Sequence, residues 1–318
     1  MTEPFISTLR PSPVFALAVL LTLALAGLNG LMILLMQLQP GFMGMAHFTE
    51  HHHRIHDLTF GFLFLPAIVG ILAQFRRPWE NVAGQAMALI PWAALVLTLF
   101  LTSLLWQNTS VRNLAWMAPA GSTLTAAILH PTWRGFFRSF RASRISWKLL
   151  AMVVVAAVPL LIFAANNVGI QGSVPDDHAQ LGHYGFMTAY AVTIVGVGLL
   201  ASARPDGWRL TAWVAGILPA LLGLASLVYP DISSTLGPVW AIAAIAWGVS
   251  FVVASERIRL SDPVPSPAAG DHTSYPSTPR WVQASAAIVL VLVLLVIGMF
   301  LTGTRLGGLG HTPPAGGH

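Results

Sequence analysis

Apolar runs about as long as a lipid bilayer is thick recur along this chain, and nothing constrains its fold more. They lie at Val14 to Met36, then Leu58–Phe75, Ala83–Leu105, Val111–His130, Trp147–Ala165, His183–Ala203, Leu210–Val228, Leu236–Ala254 and Val282–Thr302, about nine in all. Crossing roughly 30 Å of hydrocarbon takes about twenty helical residues, and in lipid each backbone N–H and C=O must find a partner within the protein. The sequence therefore predicts an all-α fold, a polytopic transmembrane helix bundle. Only 8% of the 318 residues are charged, against about a quarter in soluble domains, which rules out a soluble globular chain of this length.

Charge placement gives an orientation. Arg10, Arg76, Arg77, the group Arg134, Arg138, Arg141, Arg144 and Lys148, then Arg204, Arg209, Arg257, Arg259 and Arg280 all fall in loops on one side. Cations accumulate in short cytoplasmic loops, so the N-terminus is expected in the cytoplasm and the C-terminus outside, as in a multi-pass protein of the inner or plasma membrane in contact with its lipids. The net charge of +5 is spread over span ends rather than clustered with aromatics, so nucleic acid is not an expected partner. With no cysteine, thiolate metal sites, iron–sulfur clusters and covalently attached heme are excluded.

The spans also echo one another. Gly61-Phe62, Arg77-Pro78 and Ile90-Pro91 reappear in the same order as Gly185-Phe186, Arg204-Pro205 and Leu218-Pro219. Two parallel four-helix repeats follow, residues 1–144 and 145–259. A proline-rich cytoplasmic linker (260–280), an extra ninth helix (281–303) and a disordered Gly/Pro-rich tail (304–318) complete the expected organisation.

Five of the eleven histidines stand just before the second span, in His47-Phe-Thr-Glu-His51-His52-His53-Arg54-Ile-His56. Neutral imidazole is the commonest biological metal ligand. His52 and His53 lie four and three residues before His56, so either can share its helical face. A polar interfacial loop accounts equally for His47, His51 and His52, whereas His56 enters the apolar run, where an ionisable residue reads as functional. In the second half, Asp176-Asp177-His178-Ala179-Gln180-Leu181-Gly182-His183 introduces the sixth span. Five residues on one helix are roughly 140° apart, so His178 and His183 are not expected to act as two ligands from one face, and His183, the deeper, is the stronger candidate. His56 and His183, matched across the repeat, have the placement that bis-imidazole heme ligation needs.

The run His56-Asp57-Leu58-Thr59-Phe60-Gly61-Phe62 resembles the H-E-M-x-F-G-F signature of the NnrS family of membrane heme and copper proteins, associated with nitric oxide stress. Its continuation to Pro66 and Gly70 is similar to the low-spin heme helix of heme-copper oxidase catalytic subunits, and His178 to His183 to a later histidine-bearing helix. The chain has no match to the oxidase His-His pair. The resemblance implies a b-type heme on His56 and His183, with His52, His53 and His178 as further metal contacts, copper included. It also implies a role in nitric oxide response, denitrification or respiratory electron transfer, with a redox partner from one of those systems. Arg54 and Arg112, the two cations on the extracytoplasmic side, suit heme propionates. A second resemblance, of Glu50-His51-His52-His53-Arg54 to the E-x-x-H-R of heme A synthases, implies an enzyme of that type, although the eighth span carries no histidine.

Two readings stand beside heme. One is a copper- or zinc-handling protein that captures its ion on the extracytoplasmic histidines, with Met32, Met36, Met43 and Met45 nearby as soft donors. The other is a zinc hydrolase using Glu50, Asp57, Asp176 or Asp177 as base. Whether the chain turns over a substrate is left open by the sequence.

Overall fold

The computed structural model describes residues 11–38, 51–75, 77–106, 116–132, 145–173, 177–232 and 234–261. Among them the fold is all helical. The helices are α1 (Pro13–Leu38), α2 (His51–Leu72), α3 (Val82–Trp106), α4 (Met117–Ile128), α5 (Trp147–Ser173), α6 (His183–Ala203), α7 (Trp208–Val228) and α8 (Gly237–Ser261). A one-turn helix, Asp177–Leu181, precedes α6, and two 3₁₀ turns link α2 to α3. Seven of these helices, all but α4, are long and apolar enough to cross a membrane. The expected ninth span and tail lie outside the described residues, as does the linker apart from Leu260 and Ser261, which end α8. Packing divides the chain at Arg259/Leu260.

The centre of the unit before that point is α6, which packs on α2, α3, α5 and α7. Its apolar stretch is 72% buried against 17% for that of α8 and 28% for those of α1 and α5, so α6 is surrounded by protein while those three turn apolar side chains outward. Val155, Val158, Leu161, Trp240 and Val249 are exposed in this way, which suits helices whose outer solvent is lipid. Lipid supplies no hydrophobic drive for helix association, so close approach and interhelical hydrogen bonds have to hold the bundle. Both are present. Gly70 of α2 and Gly84 of α3 bring their backbones together, and Gly216 of α7 does the same with Gly248 of α8. Thr188 Oγ1 donates to the Ala164 carbonyl at 3.1 Å, joining α6 to α5, and Tyr190 Oη donates to the Leu218 carbonyl at 2.8 Å, joining α6 to α7. Trp247 Nε1 donates to the Met152 carbonyl at 3.1 Å and ties α8 to α5.

Helices α2 and α6 run parallel. Their N-terminal ends meet through the His56 and His183 rings, and beyond their C-terminal ends the Ala83 N–H, in the first turn of α3, donates to the Asp206 carbonyl at 2.8 Å. Arg77 and Arg204, each before a proline, are the two non-glycine residues with positive φ among the described ones, at 56° and 54°. Holding two side-chain-bearing residues in the left-handed region carries strain. It occurs here at corresponding exits from α2 and α6. At the same end of the bundle Glu256 of α8 accepts from Arg209 (2.6 Å), Trp213 (2.7 Å) and Arg259 (2.9 Å), which joins α7 to α8 among the cations.

Candidate metal centre

At the other end of the bundle three histidines converge. His56 stands in the second turn of α2, His183 is the first residue of α6, and His178 is carried by the turn Asp177–Leu181. One nitrogen from each lies within 4.8 Å of the other two. The ring centroids form a near-equilateral triangle, with 5.1 Å from His56 to His178, 5.3 Å from His56 to His183 and 5.6 Å from His178 to His183. His56 and His183 are buried and His178 is half-buried, so the group closes toward the bundle and opens at its rim.

His178 and His183 are not on one helix, so the roughly 140° offset of a continuous helix does not separate them. Gly182 takes φ +77°, a left-handed conformation open to glycine at little cost, and breaks the chain between the turn and α6. The break turns His178 back over His183.

Below the triangle the surroundings are aromatic. Phe60, one turn into α2 from His56, stacks on Phe186 of α6 with centroids 4.3 Å apart, and Phe186 also lies 6.0 Å from His183. Tyr184 meets His56 edge-on at 5.4 Å. This floor keeps water from the buried side of the rings and leaves the rim as the approach.

Two residues outside the trio hold it, and no sequence pattern marks either. Ser234, buried in the loop between α7 and α8, places its Oγ 2.7 Å from His56 Nε2, a bond across 178 positions. Gln171, buried near the end of α5, accepts the Gly185 N–H on Oε1 at 3.2 Å and donates through Nε2 to the Ala179 carbonyl. Neither position belongs to a periodic pattern, and both partners are set by packing.

Of the other residues singled out by sequence, Arg54 lies in the first turn of α2 and hydrogen-bonds the Tyr229 side chain at the C-terminus of α7. Burial raises the Tyr229 phenol above its ordinary range, with the Arg54 charge and hydrogen bond acting in the opposite direction. His52 and His53 belong to the backbone of α2, and their side chains, like Arg112, lie outside what the structure describes. Asp57 follows His56 on α2, but the group that converges among the described residues contains three histidines and no carboxylate.

Three imidazoles suit a first-row ion such as zinc or copper, which prefer nitrogen donors, and not magnesium or calcium, which prefer oxygen. Three nitrogens on one zinc ion stand about 3.3–3.6 Å from one another, as a Zn–N distance of about 2.0–2.1 Å requires in tetrahedral to trigonal geometry, so nitrogens within 4.8 Å of one another close onto an ion once the side chains draw together. The donor set fits a metal ion. A bis-imidazole heme fits less directly: the porphyrin must lie between its two axial nitrogens, and His178 packs against both His56 and His183. Compared with protein-family models, curated proteins and solved structures, the chain matches none.

Proposed function

We propose that this chain is an integral membrane metal-handling protein that captures a copper or zinc ion on His56, His178 and His183 at its extracytoplasmic end. The convergence of three imidazole nitrogens within 4.8 Å, from three separate segments, carries the reading. A tri-histidine set supplies no negative charge and leaves a fourth position open, so a bound ion keeps its full charge and can exchange with a donor or acceptor at the rim. His56 and His183 hold the buried side, the aromatic floor excludes water there, and the half-buried His178 faces arriving ions.

Two observations support the wider architecture we propose, with nine spans built as two parallel four-helix units and an extra helix. One is the matched left-handed Arg77 and Arg204 before Pro78 and Pro205. The other is the parallel course of α2 and α6 with a histidine at the start of each. The orientation, with the histidines outside, rests on the cations gathered at the opposite end.

A b-type heme on His56 and His183, in nitric oxide response or respiratory electron transfer, is the second reading. Their rings are inclined by only 28°, as two axial ligands can be, and heme entry would require His178 to swing away. Elemental analysis and an optical spectrum of the protein purified in detergent separate the two. The expected result is about one copper or zinc per chain without a Soret band, lost on His183→Ala. Stoichiometric heme with no other metal would overturn the metal-ion reading in favour of heme.

A further inference from the structure

We infer that Gln171 is a positioning residue of the histidine centre, the one that sets the bite between His178 and His183; the inference rests on the metal reading of the trio. The first turn of a helix has N–H groups with no intrahelical acceptor, and a side chain at the N-cap ordinarily takes one of them. The N-cap of α6 is Gly182, which has no side chain to offer, and its left-handed φ is what lets the chain turn back. The missing acceptor comes from another helix, as Gln171 Oε1 of α5 receives the N–H of Gly185, the third residue of α6.

The other end of the same amide reaches the other histidine. Gln171 Nε2 donates to the carbonyl of Ala179, the residue after His178, and that carbonyl also accepts the Gly182 N–H at 3.1 Å. One buried primary amide thus spans the two segments that carry His178 and His183, using a donor for one and an acceptor for the other. Only a side chain with both functions on a planar group can do this. Gln171 thus offsets the flexibility that Gly182 introduces and ties together the backbones that carry the two rings, whose centroids stand 5.6 Å apart. His56, held from a different direction by Ser234, does not depend on it.

The test uses the full chain in detergent with Co²⁺ as probe, since its d–d bands report the ligand number and its titration reports affinity. Gln171→Met removes both hydrogen bonds at similar volume. It should weaken Co²⁺ binding by roughly 10- to 100-fold, the range found when residues supporting metal ligands are removed. It should also give the altered spectrum of His178→Ala, and the double variant should be no worse than either single one, because both remove the same ligand. Wild-type affinity in Gln171→Met, or additive losses in the double variant, would overturn the inference. Gln171→Asn keeps the amide but is too short to span both partners; it serves where the Met variant does not fold, with a smaller loss expected in the same direction. A wild-type chain that takes up no Co²⁺ would sink the metal reading alone. The clamp is then judged by diethylpyrocarbonate modification of His178, followed by mass spectrometry: several-fold faster modification in the variant supports it, and an equal rate refutes it.

Discussion

The bundle buries histidine at both ends, and the two ends treat it differently. At the cationic end His130, just past α4, accepts the Thr132 N–H on Nδ1 at 3.3 Å, which leaves the proton on Nε2 to donate to Gln74 Oε1 at 3.2 Å. Gln74 in turn donates to the carbonyls of Gly70 and Asn81 at 3.0 and 3.1 Å, and Phe15 of α1 meets the His130 ring edge-on at 5.5 Å. This is a neutral imidazole with one tautomer, one donor and one acceptor, all used within the fold. At the other end three imidazoles are placed side by side with aromatic neighbours and a serine. A lone satisfied histidine fastens helices together, whereas three with converging nitrogens support the binding site proposed above. Burial by itself distinguishes nothing, since His56 and His130 are both 1% exposed.

Replacing one histidine at each end is the strongest way to break that contrast. His183→Ala should abolish copper or zinc binding, read as metal per chain by mass spectrometry, while His130→Ala should leave it unchanged. Metal loss in His130→Ala with a retained fold would erase the distinction. The next effect is on stability through the ion. Zinc at about 100 times its dissociation constant should stabilise the wild-type chain by about 2.7 kcal/mol, seen as a raised melting temperature in detergent. His130→Ala should respond equally and His183→Ala not at all.

His130→Ala should itself lower stability by about 1–3 kcal/mol, because it strands the buried Gln74 carbonyl oxygen; an unchanged melting temperature would deny His130 its fastening role. The smallest expected effect is that of Ser234→Ala. Losing the hydroxyl against His56 should weaken zinc binding by roughly tenfold, measured by competition with a chelator.

The membrane character and the helix positions were legible in the sequence because they depend on local composition: an apolar run of bilayer length can satisfy its backbone only as a helix. All eight described helices fall where apolar runs predicted spans, although α4 is described only over Met117–Ile128. His56 and His183 were legible as individual residues because a polar ring at the mouth of an apolar run is costly. The placement of His178 beside His183 was not legible: residues five apart lie roughly 140° apart only on a continuous helix, and a single left-handed Gly182 interrupts it. Prolines divided in a similar way. Pro66, Pro91, Pro159 and Pro219 lie inside helices, whereas Pro119 and Pro238 fall in the first turns of α4 and α8, where the missing N–H has no partner to lose.

By itself, then, the sequence determined that this protein is a helical bundle suited to a membrane, where its helices lie and which of its ends carries the cations, all properties of residues and their near neighbours. Only the tertiary structure decided that three histidines from three segments face one another. It also decided that Ser234 and Gln171 stand against them and that His130 is fully occupied elsewhere. Those facts depend on how helices far apart in the chain cross and on the direction in which a side chain leaves its backbone, and no periodicity in a single segment encodes either.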